Sequence, residues 1–180
     1  MAVDRELPHD TAEVIIAGHL WQDALPHLAD NSSLMRDLRV HVDDGLPLLA
    51  LGGGMTYLLR RVQDSYGRAH ELAGVIPAGA EIISDLEEAE FLEVKAEKEN
   101  PLLEQGELVR GWVVQDVELA GSPVSRDFAL TLKQPEWGAP LGEGASTPQL
   151  LCSRVLIHPA ACRSGVGRFV AACRAYASER

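Results

Sequence analysis

The feature that most constrains the fold is an apolar run that ends directly in three glycines. Residues 46–51 read LPLLAL and are followed by Gly52, Gly53 and Gly54. An apolar run of this length bounded by glycine is typical of a buried strand. The spacing of the apolar residues after the glycines predicts a helix that continues to Val62. The segment therefore predicts a strand, a tight turn and a helix in immediate succession.

Two earlier segments extend this pattern. Residues 13–17 (EVIIA) are a short, largely apolar run that ends in Gly18, which predicts a strand feeding a turn. Residues 33–42 place Leu or Val every four positions, after Asn31 or Ser32, either of which can cap a helix. Strand, helix, strand, glycine turn and helix in this order indicate a parallel sheet that is buried on both faces.

The second half of the chain has a different pattern of apolar and polar residues. Residues 91–98, 111–119 and 128–133 alternate apolar and polar side chains, which predicts mixed or antiparallel strands. The prolines and glycines of residues 134–149 predict a surface loop, and residues 150–157 predict another strand. A last helix is predicted from one apolar stripe: Val166, Phe169, Val170 and Cys173. The expected fold class is therefore α/β, a mixed sheet flanked by helices with a more antiparallel second half.

Length and charge limit the number of domains and the classes of partner. We treat residues 1–180 as a single domain, because a chain of this length is long enough for one hydrophobic core and too short for two domains. The formal net charge of -11 repels phosphate backbones and anionic headgroups, so we expect no nucleic acid or membrane as a partner. No signal peptide is recognisable at the N-terminus, and we expect a cytoplasmic location.

The three cysteines do not form a recognisable ligand or disulfide pattern. Cys152, Cys162 and Cys173 are odd in number and have no paired CxxC spacing. We therefore interpret them as reduced core residues, and we expect no metal on this chain.

Short motifs along the chain resemble, in order, those of the glutaminase domain of cobyrinate a,c-diamide synthases, which is of the class I glutamine amidotransferase type. Residues 49–58 (LALGGGMTYL) are similar to the nucleophile elbow of that family, A-E-C-G-G-x-M-Y-L. Residues 12–19 (AEVIIAGH) resemble its strand and oxyanion loop, and residues 153–158 (SRVLIH) resemble its S-Y-V-H-L-H strand. Weaker matches occur at Asn31, Met35-Arg36, residues 73–77, Pro101-Leu102-Leu103, Arg110-Gly111 and Arg168-Phe169-Val170. The resemblance implies a partial class I glutaminase-like, flavodoxin-like fold.

At two positions this chain lacks the catalytic side chains of the family. Where the family has its nucleophilic cysteine this chain has Gly52, and where the family has its base histidine it has Leu156. Glycine offers no thiolate to attack the amide of glutamine. The resemblance puts Gly18 and Gly53 at or beside the backbone N–H groups that would receive the developing oxyanion. We therefore expect a degenerate domain of cobalamin biosynthesis that is unable to hydrolyse glutamine.

The resemblance also begins inside the family's glutaminase domain, so we expect its first strands to be missing. The ATP-dependent amidoligase half is not expected either, because no GxxxxGK[ST] phosphate loop occurs. We expect no cofactor on this chain, with ATP and Mg bound only by a separate cobyrinate amidoligase subunit. A sheet without its first strands exposes an edge, which such a partner, a second copy in a homo-oligomer or the rearranged N-terminus would cover.

Alternative roles for individual residues stay open. The glycine turn could bind an anion, although an inherited turn is the simpler interpretation. His19 and His158 could form a substituted acid–base pair, and Cys152 could be a relocated nucleophile, although a surface histidine and a core cysteine are the ordinary interpretations. The alternative functions are an active glutamine-hydrolysing subunit or other hydrolase that uses Cys152 and His158, or a small-ligand-binding protein.

Overall fold

The computed structural model describes residues 4–83, 89–114, 116–120, 128–134 and 138–179. Its helices are α1 (Leu25–Ala29), α2 (Ser32–Asp43), α3 (Gly53–Leu58) and α4 (Arg163–Ser178), with 3₁₀ turns at Gln22–Ala24 and Pro159–Ala161. Its strands are β1 (Val14–Gly18), β2 (Leu48–Gly52), β3 (Leu59–Gln63), β4 (Ala69–Glu71), β5 (Ile76–Ile82), β6 (Ala89–Ala96), β7 (Leu108–Val114), β8 (Val117–Ala120), β9 (Leu130–Lys133), β10 (Leu141–Glu143), β11 (Ala145–Ser146), β12 (Leu150–Ser153) and β13 (Leu156–Ile157).

The first sheet is the predicted parallel sheet, with strand order β1-β2-β12-β11. Strand β2 pairs in parallel with β1 on one side and with β12 on the other, and β11 adds an antiparallel edge. Residues 48–51 of β2 are all buried, although they point alternately to opposite faces of the sheet. The expectation of a strand covered on both faces is therefore confirmed.

Two further sheets complete the α/β fold. The second sheet has the order β10-β9-β6-β7-β13 and is antiparallel throughout. The third sheet has the order β4-β3-β5-β8 and contains one parallel pair, β3 with β5. The more antiparallel second half is confirmed, with the strands distributed over separate sheets.

The two faces of β2 lie in two different hydrophobic cores. Leu48 and Ala50 pack in the first core, which α1, α2, α3 and the third sheet share. Leu49 and Leu51 pack in the second core, between the second sheet and α4. A buried leucine contributes roughly 1.5–3 kcal/mol to folding, and β2 places leucines in both cores, as β12 does with Leu150 and Leu151.

Helix α2 forms as its sequence predicts. The side chain of Asn31 accepts a hydrogen bond from the backbone N–H of Leu34 and so caps the first turn. Leu34, Met35 and Leu38 form a buried stripe, and the helix ends before Gly45, whose φ is +86°. Local capping and periodicity are sufficient to define this element.

The predicted helix from the glycine turn to Val62 is wrong in its second half. Helix α3 ends at Leu58, and Leu59 begins strand β3. Leu59 and Val62 are fully buried, because β3 pairs with both β4 and β5. Sheet pairing with distant strands outweighs the helical spacing of these apolar residues.

Two predicted strands are each divided between two sheets. The segment 111–119 separates into β7 of the second sheet and β8 of the third. The segment 150–157 separates at Arg154 and Val155 into β12 of the first sheet and β13 of the second. Two consecutive polar residues stand at each break, Gln115-Asp116 and Ser153-Arg154, and they interrupt segments that were otherwise consistent with one strand.

The predicted surface loop at 134–149 is also incomplete. It contains β10 and β11, and Glu143, the last residue of β10, is only 2% exposed. The carboxylate of Glu143 accepts hydrogen bonds from the hydroxyl of Ser153 and the backbone N–H of Arg154. Residues 135–137 of this segment lie outside the described residues.

Helix α4 presents a narrower apolar stripe than predicted. Phe169 and Cys173 are buried against the second core, whereas Val166 and Val170 are about 40% exposed. Arg168 anchors the helix by donating hydrogen bonds to Glu104, Glu107 and the carbonyl oxygen of Leu102. All three cysteines are free and buried, as the sequence indicates.

One buried carboxylate organises the turn between β3 and β4. Asp64 is 1% exposed and accepts hydrogen bonds from the backbone N–H groups of Tyr66 and Arg68, from Arg68 Nε at 2.8 Å and from His70 Nε2 at 3.0 Å. Burial acts to raise the pKa of Asp64, but these hydrogen bonds outweigh it and lower the pKa to about 2. The ionised form of Asp64 therefore stabilises the fold.

Because the folded-state pKa of Asp64 is depressed, its contribution to stability is present above the unfolded value of about 4 and is lost as the pH falls through about 2. We expect Asp64→Asn to flatten the pH dependence of the free energy of unfolding in this window, measured by urea denaturation. The exposed Asp43 provides a control, and Asp43→Asn should keep the wild-type slope. An unchanged slope in Asp64→Asn would contradict this account.

Candidate functional site

The candidate site is the turn between β2 and α3, at the carboxyl end of the first sheet. Gly52 has φ +64° and ψ −128°, a conformation that residues with a side chain rarely adopt. In the β1–β2 register Gly52 lies opposite Gly18, which also has a positive φ, +111°. The turn is therefore built from two glycine conformations side by side.

The two glycines after Gly52 allow the backbones to approach closely. A Cβ atom on Gly53 would overlap the backbone of His19 and Leu20, and a Cβ on Gly54 would overlap the carbonyl oxygen of Ile16. The start of α3 therefore lies in direct backbone contact with β1 and with the loop that follows it. Side chains at these positions would separate the helix from the sheet.

A Cβ atom at Gly52 would point at the side chain of Leu156. It would lie 3.2 Å from Leu156 Cδ2 and 2.7 Å from the carbonyl oxygen of Gly18. Leu156 begins β13, so it reaches this place from the far end of the chain. The structure therefore brings together the two positions at which the motif comparison has cysteine and histidine.

These residues surround a small cavity of about 20 Å³. Its walls are Gly18, His19, Gly52, Gly53, Thr56, Val114, Asp116, Arg154 and Leu156. A cavity of this size holds about one water molecule.

The charged groups of the cavity form a pair that the sequence did not reveal. His19 Nδ1 lies 3.1 Å from Asp116 Oδ2, and both side chains are mostly buried. Burial raises the pKa of Asp116, while the nearby His19 and Arg154 act in the opposite direction. The edge of Trp21 also packs on the His19 ring, with the centroids 4.5 Å apart. The imidazole is thus held in place. The described wall of the cavity contains no cysteine, and its hydroxyl group is that of Thr56.

Arg154 closes the same cavity from the β12–β13 connection. Its Nη1 donates to the carbonyl oxygen of Val117, and its Nε lies 3.6 Å from the buried carboxylate of Glu143. The guanidinium thus links the cavity to β8 and β10. Asp116 directly precedes β8 and Arg154 lies between β12 and β13, although the sequence predicts each of them inside a single strand. No sequence pattern indicates that Asp116 pairs with His19.

Two other predicted residues lie away from the cavity. His158 is exposed, and its Nδ1 accepts a hydrogen bond from the backbone N–H of Ala160, which caps the 3₁₀ turn that follows. Cys152 is fully buried in β12, and burial raises the pKa of its thiol strongly. The structure therefore does not bring His158 or Cys152 to the cavity beside His19.

The described residues contain no cluster of three His, Cys, Asp or Glu side chains that could hold a metal ion. Within the same residues, no helix is long and apolar enough to cross a membrane.

The geometry predicts that a methyl group at residue 52 destabilises the folded chain. Gly52→Ala combines a clash with Gly18 and an unfavourable φ. We expect it to lower the free energy of unfolding by about 3 kcal/mol or more. Gly106 has φ +84° with nothing within 4 Å of an added Cβ, so Gly106→Ala should lose only about 1 kcal/mol. Urea unfolding of both variants measures the difference, and equal losses would contradict the clash at Gly52.

Comparison with known proteins follows the same lines as the motifs. The cobyrinate a,c-diamide synthase of Caldanaerobacter subterraneus subsp. tengcongensis is 24% identical over 175 residues, 96% of this chain and 38% of that protein. The enzyme of that name from Synechococcus sp. is 26% identical over 155 residues, 86% of this chain and 33% of that protein. The one from Salmonella typhimurium is 31% identical over 108 residues, 60% of this chain and 23% of that protein.

A solved structure supports the fold. A crystal structure of a glutamine amidotransferase superposes with a TM-score of 0.54 at 14% identity, covering 93% of this chain and 79% of that one. No protein-family model matches the chain. The chain spans about a third of the length of the first two synthases named above. The resemblance seen in the motifs is thus confirmed: the chain is a relative of the cobyrinate a,c-diamide synthases, and it has a glutamine amidotransferase-like fold.

Proposed function

We propose that this chain is a glutaminase-like domain that does not hydrolyse glutamine and serves as a structural or binding module. The observation that carries the proposal is the meeting of Gly52 and Leu156 across a cavity of about 20 Å³. A glutaminase needs a thiolate on one side of the scissile amide and a base within hydrogen-bond reach of it. Glycine and leucine supply neither group.

The surrounding backbone supports the same proposal. The carbonyl oxygen of Gly18 lies only 2.7 Å from where a Cβ of residue 52 would be, so the space of a nucleophilic side chain is already occupied. Gly18 and Gly53 still line the cavity, but an oxyanion hole acts only on a substrate that has been attacked. The turn is therefore best explained as a scaffold.

The alternative of a relocated nucleophile has little structural support. Cys152 is 0% exposed within the first core, and a buried thiol with a raised pKa is a poor nucleophile. Cys162 and Cys173 are also buried, and their thiol pKa values are raised by burial first and by the neighbouring carboxylates second.

We therefore expect all three thiols to react slowly with an aromatic disulfide reagent in the native chain at about pH 8 and fully after unfolding in urea. Absorbance of the released thiolate measures both rates. A cysteine placed at the exposed Ser178 (Ser178→Cys) provides a fast-reacting internal control. Rapid labelling of Cys152 in the folded chain would support the hypothesis that Cys152 is a relocated nucleophile.

We further propose that this domain works with an amidoligase domain that binds ATP and Mg. Two observations support this: the chain matches only about a third of each synthase, and β1 pairs with β2 alone among the described strands. The free side of β1 offers backbone hydrogen-bonding groups to a partner strand or to a second copy of the chain.

The decisive experiment measures ammonia release from glutamine. The purified chain is assayed alone and with a cobyrinate a,c-diamide synthetase domain, ATP and magnesium, and we expect no release above the blank in either case. A glutamine amidotransferase assayed in parallel shows that the assay responds.

Variants separate true activity from contamination. Release that persists through repurification and is abolished by His19→Gln or Cys152→Ala would overturn the proposal and identify the residue responsible. Release of equal size in the wild type and in both variants would come from a contaminant.

A further inference from the structure

One face of the second sheet is open. Alternate residues of its strands point into the second core, and the others point away from it. On this outer face Phe91 is 76% exposed, although phenylalanine is among the residues most often buried. The register places Phe91 opposite Trp112 and Trp112 opposite Leu156, so three apolar side chains form a row across β6, β7 and β13.

Next to this row lies a groove of about 620 Å³. It is lined by Phe91, Leu92, Glu93, Arg110 and Lys133. Its volume falls within the range of roughly 300–1,000 Å³ that is typical of small-molecule sites. The cavity at Gly52 holds about one water molecule, so the groove is the roomier of the two sites.

The charged residues of the groove are unpaired. The register sets Glu93 opposite Arg110 on β7 and opposite Lys133 on β9. None of the three forms an ion pair or a side-chain hydrogen bond within the described residues, whereas Lys95, two residues further along β6, binds Glu97 at 3.1 Å. The groove thus carries two cations and one carboxylate beside an exposed aromatic ring, which is a small positive excess on a chain with a formal charge of -11.

We propose that this groove binds a small planar ligand that carries an aromatic ring and an anionic group. The ring of the ligand stacks on Phe91 in an offset or edge-to-face arrangement. The anionic group receives charge-assisted hydrogen bonds from Arg110 and Lys133. Glu93 accepts a hydrogen bond from a donor of the ligand and disfavours ligands with more negative charge than the two cations balance. This site does not depend on the proposed loss of glutaminase activity, because it shares no lining residue with the cavity.

The probe is anilinonaphthalene sulfonate, an aromatic anion whose fluorescence rises on binding, titrated into the folded full chain. Its neutral analogue, phenylnaphthylamine, has the same ring system without the sulfonate. We expect saturable binding of the anion, weakened about fivefold or more by Phe91→Ser, by Arg110→Gln and by Lys133→Gln. The neutral analogue should bind more weakly and should not respond to the two charge variants. Added salt should weaken the anion's binding.

Two matched variants test the location. Leu108 is 59% exposed at the other end of the same face, so Leu108→Ser removes a similar apolar group without touching the groove. Arg174 is exposed on α4, so Arg174→Gln makes the same charge change elsewhere. Both should leave the affinity unchanged, and near-ultraviolet circular dichroism confirms that every variant is folded.

Several outcomes would overturn the proposal. Equal affinity for the anion and the neutral analogue would indicate an apolar docking face without anion recognition. Affinity unaffected by Phe91→Ser would place the probe elsewhere. A chain that is dimeric by light scattering and becomes monomeric in Phe91→Ser would show that a second copy covers this face.

Discussion

The close approach of three backbone segments at the glycine turn determines the rest of the structure. Gly52, Gly53 and Gly54 let α3 begin in contact with β1, so β1 and β2 stay in parallel register up to Gly18 and Gly52. Helix α3 can then turn its apolar residues, including Met55 and Leu58, into the first core. A side chain within this turn would disturb the register, the helix and the cavity together.

Elements defined by local signals could be predicted from the sequence. Strands β1 and β2 follow from apolar runs that end in glycine, and α2 follows from its Asn31 cap and its leucine stripe. The predictions that fail concern segments whose structure is determined by pairing with strands that lie elsewhere in the sequence. Leu59 and Val62 have helical spacing but lie in a strand, because β5 pairs with them from later in the chain. The sequence predicts a loop at Glu143, and only the fold brings Ser153 to its carboxylate.

The residues of the candidate site also fall into those that could be predicted from the sequence and those that could not. Gly18, Gly52, Gly53 and Leu156 could be named because ordered motifs mark them, and the fold gathers them around one cavity. His19 and Arg154 lie within two of these motifs, but Asp116 belongs to none, so its pairing with His19 across a long sequence separation could not be predicted. These charged groups line the same cavity as Gly52 and Leu156. This packing is consistent with a turn that has been kept for its role in the fold.

The turn around Asp64 bears on how the chain folds. Its partners Tyr66, Arg68 and His70 all lie within six residues, so the cluster closes a short loop and orders few residues. Local contacts of this kind form early, before contacts between remote segments. The parallel pairs β1–β2 and β2–β12 join segments that lie far apart along the chain and form more slowly. The hairpin of β3 and β4 can therefore act as a folding nucleus, onto which β5 adds before the first sheet is complete.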